Sequence, residues 1–327
     1  MAACGDLETL ARAVFDTIAR DVDFSFACLA TTDPVSGLIN ATYKSAPLPM
    51  GDEEFAAAEY GGPDVNQFAE IAVRPVPVGV LSVDTGGDVA RCRRLHEYMT
   101  PRFGFTDELR LACRGQQTVW GLMGIYRSAG EPCFTAADGR LLATVHETIA
   151  DGIRLALFTD AVSRRGPEVP AVLLIDADDQ LTDKSTSTDE MVEALGGWDH
   201  GSLPASALMI VASARSRATP AEARVPTRDG RWMRVRALPL GQNPQRQIVL
   251  TIEPADPATI GQLAITARGL TAREQDIVAL VLQGASTKDI ADTLHLSPHT
   301  VQDHLKAVFA KLEVNSRREL IGRFVLT

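Results

Sequence analysis

Apolar positions change period several times along the chain, and each change marks an element. Over residues 6–20, Leu7, Leu10, Ala11, Val14 and Ile18 recur at helical spacing and predict an amphipathic helix. Residues 24–30 and 37–43 are short runs separated by Asp33-Pro34, a turn dipeptide, and predict two strands. An irregular stretch follows, broken by proline and glycine at 47–51, 61–63 and 75–79. Two more strands are predicted at 108–113 and 118–127. Thr135 with Asp138 then caps one long helical run, carrying Leu141, Leu142, Val145, Ile149, Ile153 and Leu157 to about Val162. A helix, an antiparallel sheet and a closing helix make an α+β layout with Trp120 expected in its core.

Residues 163–170 (SRRGPEVP) have linker composition. A fully apolar strand at 171–175 leads into Asp176, Asp178, Asp179 and Leu181, followed by helical patterns at 187–196 and 203–215. Strands are predicted at 223–227, 232–240 and 247–253, with Asp229-Gly230 as a hairpin signal. This is a second α+β pattern. An apolar strand followed by Asp178-Asp179 also suits the acidic pair of a phosphoacceptor receiver. About forty residues later, however, LMIVASARSRATP offers no aspartate, and the βα alternation is missing, so that reading is set aside.

From Leu270 onward four short helices are predicted. Thr271 with Glu274, Ser286 with Asp289, and Ser316 with Glu319 fit capping boxes or their Asp variant. Ser297-Pro298 opens a further helix and Gly284 closes the first. On the third helix Val301, Leu305, Val308 and Leu312 form one apolar stripe, and His299, Gln302, Asp303 and Lys306 fall opposite. The preceding helix, 287–294, joins it through a tight turn at His295-Leu296. Two helices joined this way, the second with a polar outer face, follow the helix-turn-helix plan, whose second helix enters the major groove. Gln can pair with adenine edges, Lys with guanine, and Asp can accept from cytosine. Thr287, Lys288, Ser297 and Thr300 lie near helix starts, where hydroxyls, ammonium and free N–H groups can hold phosphates. His304 flanks the stripe and is expected to be structural. Asp303 is expected to orient Gln302 or Lys306, since a carboxylate near phosphates is repelled.

This segment resembles the LuxR-type (GerE-like) DNA-binding domain. The pattern is carried by Leu270, Thr271, Arg273 and Glu274; by Gly284, Ser286, Lys288, Asp289, Ile290 and Ala291; by Leu294, Leu296, Ser297, Thr300, Val301 and His304; and by Lys311, Leu312, Val314, Ser316 and Arg317. It departs from the family at Gln302-Asp303, where the family often has lysine after the Thr-Val pair. The resemblance implies double-stranded DNA as partner and a homodimer contact on the fourth helix, at Arg317, Leu320, Ile321 and Phe324. The segment F-T-x-x-D-x-x-L-L at Phe134 closes a stretch that resembles GAF domains, whose family binds varied small molecules between the sheet and an irregular connecting segment, here within 60–105. The stretch 168–256, with D-G-R-W before a late strand, resembles a PAS domain. The expected organisation is therefore multidomain: a GAF-like α+β sensor at 1–162, a PAS-like α+β module at 168–256, and an all-α four-helix helix-turn-helix domain at 264–327.

Composition bounds the rest. The net charge is −10, but from Ala264 onward eight Lys and Arg face seven acids, so the head is close to +1 and the body acidic. Such a body repels DNA, and pairing two heads is expected to supply part of the affinity. Cys4, Cys28, Cys92, Cys113 and Cys133 show no C-x-x-C pairing and no signal peptide precedes them, so reduced, mostly buried thiols in the cytoplasm are expected. Cys92 and His96 have the spacing to hold a metal or haem, but a solvated helix face is favoured. No run approaches 18 apolar residues, so no membrane partner is expected. No phosphate loop, G-x-S-x-G, H-E-x-x-H or paired-cysteine zinc motif appears, and the W-x-x-x-Y mark of the acyl-lactone pocket is absent. No enzyme activity, metal or required cofactor is expected, and the ligand identity stays open. The chain reads as a cytoplasmic one-component transcription regulator. The alternative is a ligand- or protein-interaction module whose head has weak or no specific DNA binding. A sigma-like factor ranks last, because 1–260 is acidic and strand-containing.

Overall fold

Local capping and strand pairing organise the chain in the computed structural model, which describes residues 6–49, 52–115, 118–159, 169–241 and 247–324. Two compact units result, one running through Pro254 and one from Ala255. Cys4, most of the expected linker (163–168) and the expected helix end at 160–162 lie outside the described residues.

In the first unit, the Asp6 carboxylate accepts the Thr9 N–H at 2.7 Å and starts α1 (Leu7–Ile18). Ala11, Phe15 and Ile18 form its buried stripe, so Phe15 takes the place expected of Val14. β1 (Phe26–Thr32) and β2 (Ile39–Lys44) follow. The irregular stretch holds α2 (Glu53–Tyr60), α3 (Phe68–Ile71), β3 (Val78–Val80), α4 (Leu81–Asp84), a π-helical turn at Arg94–Met99 and α5 (Thr100–Phe103). β4 (Phe105–Gly115) and β5 (Thr118–Ser128) are long antiparallel partners. The sheet order is β2-β1-β5-β4-β3. β3 was not expected among the prolines of 75–79; it is an edge strand, where proline is tolerated.

The Thr135–Asp138 capping box forms, but the expected single helix is two: α6 (Ala136–Ala143) and α7 (His146–Thr159). The Thr144 and Val145 N–H groups bond three residues back, to Leu141 and Leu142, and the Thr144 hydroxyl also donates to the Leu141 carbonyl. That tightens the turn and re-aims the chain while the apolar spacing runs on through it.

The second sheet comprises β6 (Ala171–Ile175), β7 (Leu181–Lys184), β8 (Ala221–Pro226), β9 (Trp232–Pro239) and β10 (Ile248–Pro254), with α8 (Thr188–Ala194) and α9 (Ala205–Arg217) between β7 and β8. Its order, β7-β6-β10-β9-β8, repeats that of the first sheet, a repetition with no counterpart in the residue pattern. All its pairings are antiparallel, which agrees with setting the receiver aside. β7 reads LTDK and is almost wholly exposed, so alternation could not announce it. Gly230, with φ 81°, makes the expected hairpin turn.

α9 is buried on nearly every face, through Ala207, Leu208, Met209, Ile210, Val211 and Ala214. It packs on β9 of its own sheet and on β2 and α2 of the first. Beside it, fully buried Asp33 pairs with Arg224 at 3.0 Å, and the Asn40 amide donates to the Arg224 carbonyl at 2.8 Å. The two sheets thus share one core.

The second unit has five helices among its described residues, not the four expected: α10 (Pro257–Ala267), α11 (Ala272–Leu282), α12 (Thr287–Leu294), α13 (Pro298–Leu312) and α14 (Arg317–Phe324). The additional helix is α10, capped by Asp256 with Pro257 in its first turn. It approaches α14 so closely that a Cβ at Gly261 would lie 2.7 Å from the Phe324 carbonyl oxygen. Capping boxes form at Thr271–Glu274 and Ser286–Asp289. At Ser316 the hydroxyl accepts the Glu319 N–H, while the Glu319 carboxylate takes the N–H of Asn315 instead.

α11, α12 and α13 each end on a left-handed residue: Gly284, His295 and Glu313. The next residue closes each end, with Ala285 N–H to Leu280, Leu296 N–H to Ala291 and Val314 N–H to Phe309 at 2.9–3.0 Å. Three side chains then brace the helices: Arg273 donates to the Leu294 carbonyl at 2.8 Å, Lys311 to Glu274 at 2.6 Å, and Arg317 to the Ala285 carbonyl. Burial pushes the Glu274 carboxyl up, but the Lys311 ammonium and the Thr271 N–H and hydroxyl outweigh it and hold the pKa below the usual carboxylate value.

A depressed folded-state pKa stabilises above the unfolded value, and that stability is lost as pH falls through the folded one. Urea unfolding followed by helical circular dichroism should therefore show the second unit weakening in acid, and less so in Glu274→Gln. Lys311→Met, which leaves a buried carboxylate unpaired, should cost about 1–3 kcal/mol at neutral pH. His295→Gly removes a left-handed β-carbon and should raise stability by about 0.5–1 kcal/mol in the same measurement.

Candidate nucleic-acid interface and ligand cavity

α13 is held by its apolar side. Val301, Leu305, Val308 and Leu312 are buried as expected, and His299, Gln302, Asp303 and Lys306 are exposed on the other face. Within that row Asp303 accepts from Lys306 at 3.3 Å and lies 3.7 Å from the Nδ1 of His299. The carboxylate is 56% exposed and Lys306 75%, so the pair is solvated and weak. It nevertheless neutralises the one lysine of the row. His304 is half-buried beside the stripe.

The two helix starts differ. At α12 the Asp289 carboxylate already occupies the N-terminus, bonded to the Ser286 hydroxyl and N–H, which lower its pKa. Half-buried Thr287 and exposed Lys288 flank it. At α13 the cap is neutral: the Ser297 hydroxyl accepts the Thr300 N–H at 3.1 Å and lies 2.8 Å from the Thr300 hydroxyl. An anion therefore meets a competing carboxylate at α12 and none in the cap of α13.

The near-neutral charge of the head hides a division of labour. Arg268 pairs with Glu313, and Arg273, Lys311 and Arg317 are the braces described above. Lys288, Lys306 and Arg318 are exposed. The bracing roles were not read from the sequence, although Arg273, Glu274, Lys311 and Arg317 all stand at motif positions. Of the expected dimer residues, Leu320 and Phe324 are buried in the head's own core, Arg317 is braced, and Ile321 is half-buried.

The first unit holds a cavity between its sheet and the irregular segment, lined among others by Phe26, Cys28, Leu48, Phe55, Phe68 and Tyr126. Counting its open mouth, the space is about 510 Å³, of which about 40 Å³ admits the centre of a water molecule. Cys92 is buried with its Sγ 3.6 Å from Asp64, whereas His96 is exposed, so the two do not converge and Cys92 is not on a solvated face. No group of three or more His, Cys, Asp or Glu among the described residues is placed to hold a metal. Cys28, Cys92, Cys113 and Cys133 are free thiols, the last of them exposed. Trp120 is buried, as expected. No helix among the described residues is long and apolar enough to cross a membrane.

Residues 268–324 match the family model for bacterial regulatory proteins of the luxR family. Over 54 residues the chain is 52% identical to the monoamine regulon transcriptional regulator of Klebsiella aerogenes, which covers 16% of this chain and 24% of that protein. The chain thus spans only about a quarter of that relative's length. Against the spore germination protein GerE of Bacillus subtilis it is 36% identical over 52 residues, 16% of this chain and 70% of GerE. Among solved structures, Escherichia coli SdiA aligns over 98% of this chain and 91% of its own at 11% identity with a TM-score of 0.32, too distant to bear on function. The named relatives include transcriptional regulators, which agrees with the expectation of a regulator and not an enzyme. With its helical second unit carrying the matching segment, the chain belongs to the luxR family of bacterial regulatory proteins.

Proposed function

We propose that this chain is a cytoplasmic one-component transcription regulator that binds specific double-stranded DNA as a homodimer through α12 and α13. The carrying observation is the exposed row His299, Gln302, Asp303 and Lys306, set opposite a fully buried stripe on a helix whose last turn is braced by Lys311. In this reading α13 enters the major groove, Gln302 and Lys306 face base edges, and His299 and Asp303 shape the row. Ser297 and Thr300 at the neutral α13 start, with Thr287 and Lys288, hold phosphates. Two heads read half-sites about one helical turn apart, or a multiple of it. Arg317, Leu320, Ile321 and Phe324 place the dimer contact on α14. Because Leu320 and Phe324 are committed to the core, the partner meets Ile321 and the neighbouring Arg318.

The first unit is the sensor in this proposal: a GAF-like body at 1–162 and a PAS-like body at 168–256, controlling the head at 264–327 by shifting a population between DNA-competent and incompetent states. The cavity between sheet and irregular segment supports that reading. A second reading, a head with weak or no specific DNA binding, is favoured by the Asp303–Lys306 pair.

Fluorescence anisotropy on promoter-selected and random duplexes separates the two. Preference for the selected duplex at moderate salt supports the regulator, and equal binding to both supports the second reading. Lys306→Ala should alter base preference, whereas Lys288→Ala should weaken all sequences alike and lower the salt slope by about 1. Equal effects from both would reject the groove-facing assignment. Asp303→Asn should strengthen binding to every duplex and steepen the salt slope, by about 1 at most.

A further inference from the structure

The cavity of the first unit has a distinctive chemistry. Phe26, Phe55, Phe68, Tyr98 and Tyr126 give it five aromatic walls. The cation and the carboxylate among its lining residues are already paired, Lys44 with both oxygens of Asp52 at 2.9 Å. Thr42 and Cys28 add only neutral polar atoms.

Next to it lies a buried ion cluster. Arg94 pairs with Asp64 at 3.3 Å and with Glu108 at 2.7 Å, and Arg110 pairs with Glu59 at 2.7 Å and also with Glu108. All five side chains are at most 4% exposed, and three carboxylates outnumber two guanidinium groups. A further anion here would meet a net negative charge in a poorly screening interior. The Tyr126 hydroxyl, on a cavity-lining residue, donates to Glu108 at 3.2 Å, so cluster and cavity share a wall.

Two donors of this cluster, Arg94 Nε and Arg110 Nη2, are buried with no hydrogen-bond partner among the described residues, and Arg110 is the one that leads to the cavity. Arg110 stands opposite Gly124 in the β4–β5 register, and Gly124 stands opposite Cys28 in the β5–β1 register; directly paired residues share a face of the sheet. Gly124 and Cys28 both line the cavity, and the Arg110 guanidinium lies 4.0 Å from the centroid of the Phe68 ring, which lines it too. A buried cationic N–H without an acceptor carries a desolvation cost that an acceptor would relieve. An ammonium-bearing ligand would bring more donors and like charge to Arg110, and a carboxylate would add a fourth negative charge.

We propose that this cavity binds a small uncharged aromatic molecule carrying one hydrogen-bond acceptor, to which Arg110 Nη2–H donates. The aromatic walls select the ring, the cluster excludes an anion, and the unpartnered donor selects the acceptor. The room present is that of a few waters, which limits the occupant to about a single ring. This rests on reading the first unit as the sensor.

The test titrates three probes of one shape into the full chain without DNA, by calorimetry: acetophenone with a carbonyl acceptor, ethylbenzene without one, and benzoate with a charge. Acetophenone should bind saturably and at least tenfold tighter than ethylbenzene, with no saturable binding of benzoate. Leu48→Trp and Thr42→Leu, which add bulk at two cavity-lining positions, should each abolish acetophenone binding while the circular dichroism spectrum and thermal midpoint stay unchanged. Equal affinity for ethylbenzene removes the role of Arg110, tighter benzoate reverses the charge argument, and binding that survives in either folded variant puts the occupant elsewhere. Any of these overturns the proposal. Because DNA is absent, such a failure leaves the regulator reading standing, and a failure to bind DNA leaves the cavity's occupant standing.

Discussion

The exposed row of α13 is only as well placed as the helix beneath it, and that helix is tied down by the Glu274–Lys311 pair. Glu274 is nearly buried and serves twice, closing the capping box of α11 and receiving Lys311 from the last turn of α13. A carboxylate in that position must be held by charge or hydrogen bonds, and here both are present. One residue therefore fixes where α11 begins and where α13 ends. Arg273 fixes the end of α12 from the same turn of α11. The placement of the exposed row depends on these contacts on the inner side of the head more than on any residue of the row.

Legibility in the sequence followed the range of the forces involved. The caps at Thr135, Thr271, Ser286 and Ser297 and the stripe Val301–Leu305–Val308–Leu312 are local, and they stand where the residue pattern placed them. The break at Thr144 was hidden because the apolar spacing continues across it, and only the bonds to the Leu141 and Leu142 carbonyls reveal the tighter turn. β7 was hidden because an exposed edge strand needs no apolar face. α10 was passed over although Asp256-Pro257 is a start signal, since its buried residues, Leu263, Ile265 and Ala267, fall at alternate positions and not at helical spacing. The bracing of Arg273, Lys311 and Arg317 is tertiary, so a charge count of the segment weighted them equally with Lys288 and Lys306.

The same limit applies to the candidate sites. The polar face of α13 could be read from 100° steps, but the pairing of Asp303 with both neighbours, and the difference between a charged cap at α12 and a neutral one at α13, needed coordinates. The cavity was expected only as a region, and its chemistry comes from strands and loops far apart in the chain.

α9 has a consequence of another kind. A helix with almost no exposed face cannot rotate or slide without opening the contacts it makes with both sheets at once. The two sheets, alike in strand order, are thereby welded into one cooperative body rather than strung as beads. Work done on either sheet is work done on the pair, and neither can be loosened without disturbing the core of the other.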